Sequence, residues 1–210
     1  MTRVDALPAT RVGLLDHLRP AIVLVVLFTV VLGVAFPLGF VRFAGAVLPF
    51  QAGGSMIEKG GKVVGSALIG QAFTSDKYLQ GRPSTTTAPD PADSTKTVPA
   101  PYNAANSGAS NAGPTAKSLV DRVTEDVGKM GGGPVPGDAV TTSASGVDPH
   151  ISLAFAARQV ARIAKARGVP EATIQGVIAA QSEGRLLGII GEPRVNVLAV
   201  NLALDAAAGK

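Results

Sequence analysis

Between Arg19 and Arg42 the sequence carries no charged residue, and the run PAIVLVVLFTVVLGVAFPLGFV fills positions 20–41 almost entirely with apolar side chains. As a helix rising ~1.5 Å per residue this run is about 33 Å long, one bilayer crossing. β-Branched Val and Ile dominate it, which would be odd in a soluble helix but is harmless where every backbone group must be satisfied inside the segment. Pro37 is expected to kink or end the helix. The competing reading is a cleaved signal peptide, because Ala44-Gly45-Ala46 resembles a small-residue cleavage site. Against it, the apolar run exceeds the roughly 7–15 residues of a signal core and Arg42 interrupts the approach to the site. Arg3, Arg11 and Arg19 precede the run, whereas only Arg42 lies within about fifteen residues beyond it, so the basic residues predict a cytoplasmic amino terminus. The expected organisation is a cytoplasmic tail over 1–19, a transmembrane helix over 20–41 and an extracytoplasmic domain over 43–210.

Beyond the anchor the pattern changes to short elements. Gly54 to Ile57 and Lys62 to Ile69 are partly apolar runs flanking Glu58-Lys59-Gly60-Gly61, where glycine supplies the positive φ of a tight turn, and a β-hairpin is expected. From Gln80 to Ser118 the only large apolar residues are Val98 and Tyr102, so this stretch reads as a long polar loop, pinned at Tyr102-Asn103 and Ser110-Asn111 and suited to a contact surface. Leu119, Val123 and Val127 recur at helical spacing, with Pro114 placed for the first turn and the Gly131–Pro134 cluster as a stop. A second helix is expected to start with Asp148 as its cap and Pro149 at its first position, burying Leu153, Ala156, Ala157, Val160, Ile163 and Ala164 and ending at Gly168 and Pro170. A third runs from Pro170 through Ile174, Val177 and Ile178, weakened by Gly176. At the carboxyl end Asn196, Leu198, Val200, Leu202 and Leu204 alternate like a strand, while the alanine tail favours helix, the preferred reading. The fold class is therefore α/β: one amino-terminal transmembrane helix followed by a small mixed domain.

Composition agrees with an anchor. Hydrophobic residues are 46% of the 210, yet aromatics are 4% and tryptophan is absent. With no cysteine, neither a disulfide framework nor a thiolate metal site is available. The net charge of +4 is not gathered into a basic stripe interleaved with aromatics, so no nucleic-acid partner is expected. Gly61-Lys62 is followed by Val63, which lacks the magnesium-binding hydroxyl of a phosphate-cradling loop, and no Thr-Val-Gly-Tyr-Gly filter is present. No catalytic residue is assigned. Ser145, Asp148 and His150 have the residue types of a hydrolase triad, but Asp148 has a sufficient use as a cap and no Gly-x-Ser-x-Gly elbow presents the serine. A single His150 beyond the anchor is a poor metal site, and no metal or bound cofactor is expected; His17 suits the headgroup level. Gln71 at the end of the hairpin is expected to pair within the chain, and Arg82 before Pro83 either clamps a carbonyl or carboxylate or is solvated.

A series of short blocks, each weak alone, carries a resemblance over most of the chain. Gly65-Ser66, Leu68-Ile69-Gly70-Gln71 and Phe73 come first, then Tyr78 and Gly81-Arg82-Pro83-Ser84. Tyr102-Asn103 follows, then Ser107 to Asn111 with Gly113-Pro114, then Ser145-Gly146 with Asp148-Pro149-His150-Ile151-Ser152, and last Gly191 to Asp205 with Glu192-Pro193-Arg194-Val195-Asn196-Val197-Leu198. In this order, behind one amino-terminal span, they resemble the small C subunit of the bacterial Kdp potassium-transporting ATPases. Leu79, Ala112 and an extended Thr85–Pro101 stretch depart from the family pattern and bear on surface detail more than identity.

The resemblance implies a plasma-membrane complex with a channel-like potassium-translocating subunit and a P-type ATPase subunit, so that ATP and potassium are handled by the complex. It also implies a catalytic chaperone that raises the ATPase subunit's affinity for ATP. That role conflicts with the predicted topology, because ATP is cytoplasmic and an outside domain could act only through coupling between states of the complex. The expectation is an accessory subunit contacting its partners and membrane lipid, with Gly65, Ser66, Gly70, Gln71, Arg82, Tyr102, Asn103, Ser110, Asn111, Asp148, His150, Arg194 and Asn196 as contact candidates. Two rivals are a stand-alone membrane-anchored cell-envelope binding module and an anchored hydrolase, which Ser145→Ala would abolish.

Overall fold

The computed structural model describes residues 13–131 and 133–208. The chain divides into two units, the first ending at Gly54 and the second beginning at Ser55.

The first unit is helical. Helix α1 (Leu14–Val30) passes through a π-helical turn (Val31–Ala35) into α2 (Phe36–Val47), and a short α3 (Pro49–Ala52) follows. Asp16 holds the start, its carboxylate accepting from the Gly13 amide at 2.7 Å. Leu14–Val47 form a continuous 34-residue apolar helix of which nothing is buried in the chain itself, long and apolar enough to cross a membrane. Pro37 does not end this helix. It lies directly after the π turn, where the Phe36 amide reaches back to the Val31 carbonyl; such local widening lets a proline, which has no N–H to give, be carried inside a helix.

The second unit begins with the expected hairpin, β1 (Met56–Lys59) against β2 (Lys62–Ser66). Glu58 and Lys59 belong to the strand, and the turn itself is Gly60-Gly61, with φ of +61° and +74°. Two successive positive φ values are what a two-residue hairpin turn matched to strand twist requires. The polar stretch 80–118 contains a small hairpin, β3 (Thr87–Pro89) with β4 (Thr97–Pro99), and a 3₁₀ turn at Ala104–Asn106. Helix α4 (Lys117–Lys129) stops before the glycine cluster as expected, but Pro114 lies three residues before its start and takes no part in its first turn. A short α5 (Gly137–Val140) follows.

The core is built on β5 (His150–Ser152), α6 (Leu153–Arg167), α7 (Glu171–Ala180), β6 (Ser182–Glu183), β7 (Arg194–Asn196) and α8 (Val197–Ala208). Antiparallel β7 is the middle strand of the order β5-β7-β6, pairing Ile151 with Val195 on one side and Ser182 with Val195 on the other. Two expectations change here. Residues 150–152 are strand, so Asp148 caps nothing helical; Ser152 caps α6, accepting from the Phe155 amide at 3.0 Å. Of the expected face Ala156, Val160, Ile163 and Ala164 are buried, joined by Phe155 and Gln159, while Leu153 and Ala157 are exposed. The carboxyl-terminal segment is helix from Val197, as preferred; of the alternating positions only Asn196 lies in a strand, and Leu198, Val200, Leu202 and Leu204 are helical. Ile151, Phe155, Ile163, Ile174, Val195, Val200 and Leu204 close the core, joined by Leu79, which is fully buried.

Candidate functional site

Leu79 comes from an irregular segment, and its burial has a specific cause. Asn201 on α8 accepts from the Leu79 amide at 2.7 Å and donates to the Leu79 carbonyl at 2.9 Å. Gln159 on α6 treats Gln80 the same way, at 2.8 and 3.0 Å. Two side-chain amides thus play the part of a neighbouring strand for residues 79–80. Arg162 donates to the carbonyls of Asp76 and Tyr78, and Arg167 to that of Lys77 while pairing with Asp205 at 2.9 Å and lying over the Tyr78 ring. None of these clamping residues stood out as a site in the sequence. The available signal was a lone amide, Gln159 or Asn201, on an otherwise apolar helix face.

The clamp delivers Arg82 to the polar centre of the domain. Its guanidinium pairs with Asp148 at 3.2 Å and donates to the carbonyls of Thr142 at 3.2 Å and Thr141 at 3.4 Å, so it clamps both carboxylate and carbonyl partners and is not simply solvated. Tyr102 closes over it, donating its hydroxyl to the Arg82 carbonyl at 2.7 Å. The Tyr102 ring lies against Gly70 and Gly81, where added Cβ atoms would strike it. Ser84 donates to the Gly146 carbonyl at 2.7 Å and accepts from the Tyr102 amide at 3.0 Å. Asn103 caps the 3₁₀ turn and donates to the Thr87 carbonyl at 2.8 Å, so the loop is pinned at Tyr102-Asn103 as expected. Ser110 and Asn111 do not pin the loop as expected but stay exposed: among the described residues the only hydrogen bond there is a long one, 3.5 Å, from the Ala112 amide to Ser110, within the loop itself.

A second group surrounds the hairpin exit. Gln71 donates to the Val64 carbonyl at 2.8 Å, an intramolecular bond, and its amide fills the space that a Cβ on Gly65 would need. Ser66 accepts from the Leu68 amide at 3.1 Å. Asn196 donates to the Ala67 carbonyl and accepts from the Ala199 amide, both at 3.0 Å, tying the hairpin exit to the start of α8. Arg194 pairs instead with Glu183 across β6–β7, half exposed and therefore worth little stability.

The electrostatics of the centre follow from burial and charge. Burial alone would raise the Asp148 carboxyl; His150, through its ring at 3.6 Å and its amide at 2.9 Å, and then Arg82 outweigh it and hold the group below the usual carboxylate value. Burial, followed by the charge of Asp148, pushes the Tyr102 phenol up to about 12, partly opposed by Arg82, so its hydroxyl remains a donor at all physiological pH. Because the folded pKa of Asp148 is depressed, its contribution is present above the unfolded carboxylate value and disappears as pH falls through the lowered folded value. Asp148→Asn is therefore expected to cost about 1–3 kcal/mol at neutral pH, by removing the carboxylate that pairs with Arg82, and the cost is expected to shrink only as pH falls from about 4 through the lowered folded value. Urea unfolding of both proteins across that range checks it; an equal cost at every pH would contradict it.

Ser145 is absorbed by its own turn: its hydroxyl accepts from the Val147 amide at 3.2 Å and lies 3.4 Å from the Ser143 hydroxyl. Among the described residues no hydrogen bond joins Ser145 to His150, and no three His, Cys, Asp or Glu side chains are placed to hold a metal ion.

Fold and site together define a class: a small mixed α/β domain behind one amino-terminal helix that fits a single-pass membrane protein, with polar side chains turned mostly onto the domain's own backbone. Residues 18–206 match the family described as "K+-transporting ATPase, c chain". The chain is 59% identical to the potassium-transporting ATPase KdpC subunit of Methylobacterium nodulans and 60% identical to that of Bradyrhizobium diazoefficiens, each alignment covering 94% of this chain and 100% of the relative. It is 58% identical to the subunit of the same name from Rhodopseudomonas palustris, over 92% of this chain and 100% of the relative. The chain belongs to the KdpC family, the C subunits of potassium-transporting ATPases.

Proposed function

We propose that this chain is a non-catalytic accessory subunit of an ATP-driven potassium uptake complex, acting by assembly and by coupling rather than by chemistry of its own. The observation that carries the reading is the use made of the polar centre. Arg82, Tyr102, Gln71, Asn196 and Asn201 each donate to a backbone carbonyl of this chain, so that these polar side chains build its shape. A rigid domain with a polar, loop-rich surface suits contact with partner subunits: a potassium-translocating, channel-like subunit and the P-type ATPase subunit that hydrolyses ATP.

The helix is the anchor in a bacterial plasma membrane, with the amino terminus cytoplasmic and the residues from about 43 onward, including the whole second unit, outside. Arg19, together with Arg3 and Arg11, which lie outside the described residues, supports this orientation against Arg42 alone in the next fifteen or so residues beyond the span. An outside domain packs over the outer mouth of the translocating subunit, stabilising assembly and gating ion entry. The higher ATP affinity implied for the ATPase subunit then arises as a coupling free energy between states of the complex, without direct nucleotide contact. The sequence has no cysteine, so Ser110→Cys, at an exposed loop position, provides a clean topology probe. A membrane-impermeant maleimide is expected to label it on intact cells once the outer envelope is opened. Labelling only after the plasma membrane is breached would place the domain inside and revive direct nucleotide contact.

A further inference from the structure

Helix α4 is the least attached long helix of the second unit. Helices α6, α7 and α8 each bury side chains outright, whereas α4 buries none. Its apolar face, Val123 and Val127 with Met130 just beyond, is only half-buried where it rests against the core cluster that contains Ala139 and Phe155. Its hydrogen bonding is turned inward as well. The ion pairs Lys117–Asp121 and Lys129–Glu125 and the bond from the Thr124 hydroxyl to the Val120 carbonyl all stay within the helix. Among the described residues, the one hydrogen bond that joins residues 109–131 to the rest of the domain comes from Arg158, which donates to the Met130 carbonyl at 3.0 Å.

Packing beneath α4 is incomplete at both ends. A cavity of about 490 Å³ is lined on one side by Asp126, Lys129 and Met130 and on the other by Phe73, Arg82 and Phe155. A second, of about 300 Å³, lies between Leu119 and Arg122 and residues 141–144. Side chains that face a void lose the dispersion contacts a packed neighbour would give. Weak burial and few bonds to neighbours are the features of a segment that opens at a fraction of the free energy of global unfolding. A 13-residue helix is marginal by itself in water, so α4 unwinds when it leaves. The floor beneath it is fastened independently: Ala139 on α5 is 2% exposed, and its neighbour Asp138 accepts from the Ser152 amide at 2.6 Å and the Ser152 hydroxyl at 2.9 Å.

We propose that α4 is a lid: residues 117–129 lift off and unwind as one unit while α5, α6 and α8 stay folded, uncovering Ala139, Phe155 and the Tyr102 side of the Arg82 centre, with Arg158 as the latch. Arg158 suits that part because its guanidinium also donates to the Pro134 carbonyl at 2.9 Å, holding the chain just past the helix at two points. A lid of this kind gives the domain two discrete arrangements, the physical requirement for coupling between states. The opening is a property of this chain's own fold; only its use in coupling rests on the accessory-subunit reading.

Hydrogen–deuterium exchange of the full chain in mild detergent, followed by mass spectrometry at increasing sub-denaturing urea, reads the opening alone. The amides of residues 117–129 are expected to exchange together, about 100-fold or more faster than the core amides of α6 and α8 and with a shallower urea dependence. Arg158→Ala is expected to speed them about tenfold further and to leave α8 unchanged. Gly128→Ala, whose added methyl meets nothing within 4 Å, is expected to slow them about threefold by favouring the helical form. Ala139→Cys, in a chain with no cysteine of its own, reports the uncovering: its reaction with a maleimide is expected to follow α4 exchange and to rise about tenfold with Arg158→Ala, while Ala164→Cys in α6 stays unreactive. The proposal is overturned by α4 exchange as slow as that of α8 with the same urea dependence, by exchange that Arg158→Ala leaves unchanged, or by a thiol at position 139 that reacts no faster than one at position 164.

Discussion

Asn201→Leu is expected to destabilise the domain by about 3–5 kcal/mol, although the replacement is close to isosteric and apolar. The Asn201 amide satisfies both the N–H and the C=O of Leu79, and both residues are almost wholly inaccessible to solvent, at 2% and 0%. Leucine would leave two buried backbone groups without partners, at about 1–3 kcal/mol each, and its own transfer gain offsets only part of that. Against a typical domain stability of about 5–15 kcal/mol this is a large fraction. The consequence reaches the polar centre, because releasing residues 79–80 frees the segment that delivers Arg82. Tyr78 and Tyr102 are the only tyrosines and tryptophan is absent, so intrinsic fluorescence during urea unfolding of the full chain in mild detergent reports on this domain without signal from the anchor. A loss below about 1 kcal/mol would mean that the amide does not hold the segment.

Gly70→Ala is expected to cost about 2–4 kcal/mol in the same assay, the range of a forced overpacking against backbone. A methyl at this position would lie 2.5 Å from Tyr102 Cε1 and 2.7 Å from the Asp148 carbonyl oxygen. The glycine cannot retreat without stretching its own 2.8 Å bond from its amide to the Val147 carbonyl, so the Tyr102 ring must yield, and with it the cover over Arg82. Gly176→Ala in α7 is the control: nothing lies within 4 Å of the added methyl, and removing a glycine from a helix interior is expected to stabilise by about 0.5–1 kcal/mol. Equal effects at the two positions would show that close approach at Gly70 is not what fixes Tyr102.

The elements legible in the sequence were those written in local terms. Uninterrupted apolarity gave the anchor helix, Gly60-Gly61 the hairpin turn, and the periodicity of Val160, Ile163 and Ala164 the helix that carries the core. The misplaced start of α6 has a clear physical root, which is that a capping residue is recognised by its type but chosen by tertiary contacts. Asp148-Pro149 is a good local helix start, yet pairing of His150–Ser152 with β7 keeps those residues extended and moves the cap to Ser152, itself held by Asp138 at 2.6 and 2.9 Å. Asp148 is thereby left for Arg82, a partner 66 positions away. The same non-locality hid the amide clamp: Asn201 and Leu79 are 122 positions apart, and nothing near either residue marks the pair. Arg82, Tyr102, Gln71 and Asn196 were legible as special residues, but not their mutual arrangement.

The central claim, that this chain works only as a partner-bound accessory subunit, is tested most directly by affinity purification of the tagged chain from potassium-starved cells in mild detergent, with everything that accompanies it identified. The expected result is recovery of a channel-like membrane subunit and a P-type ATPase in constant proportion to the tagged chain. Recovery of the chain alone, under conditions that keep other membrane complexes intact, would contradict the claim and favour a stand-alone envelope module.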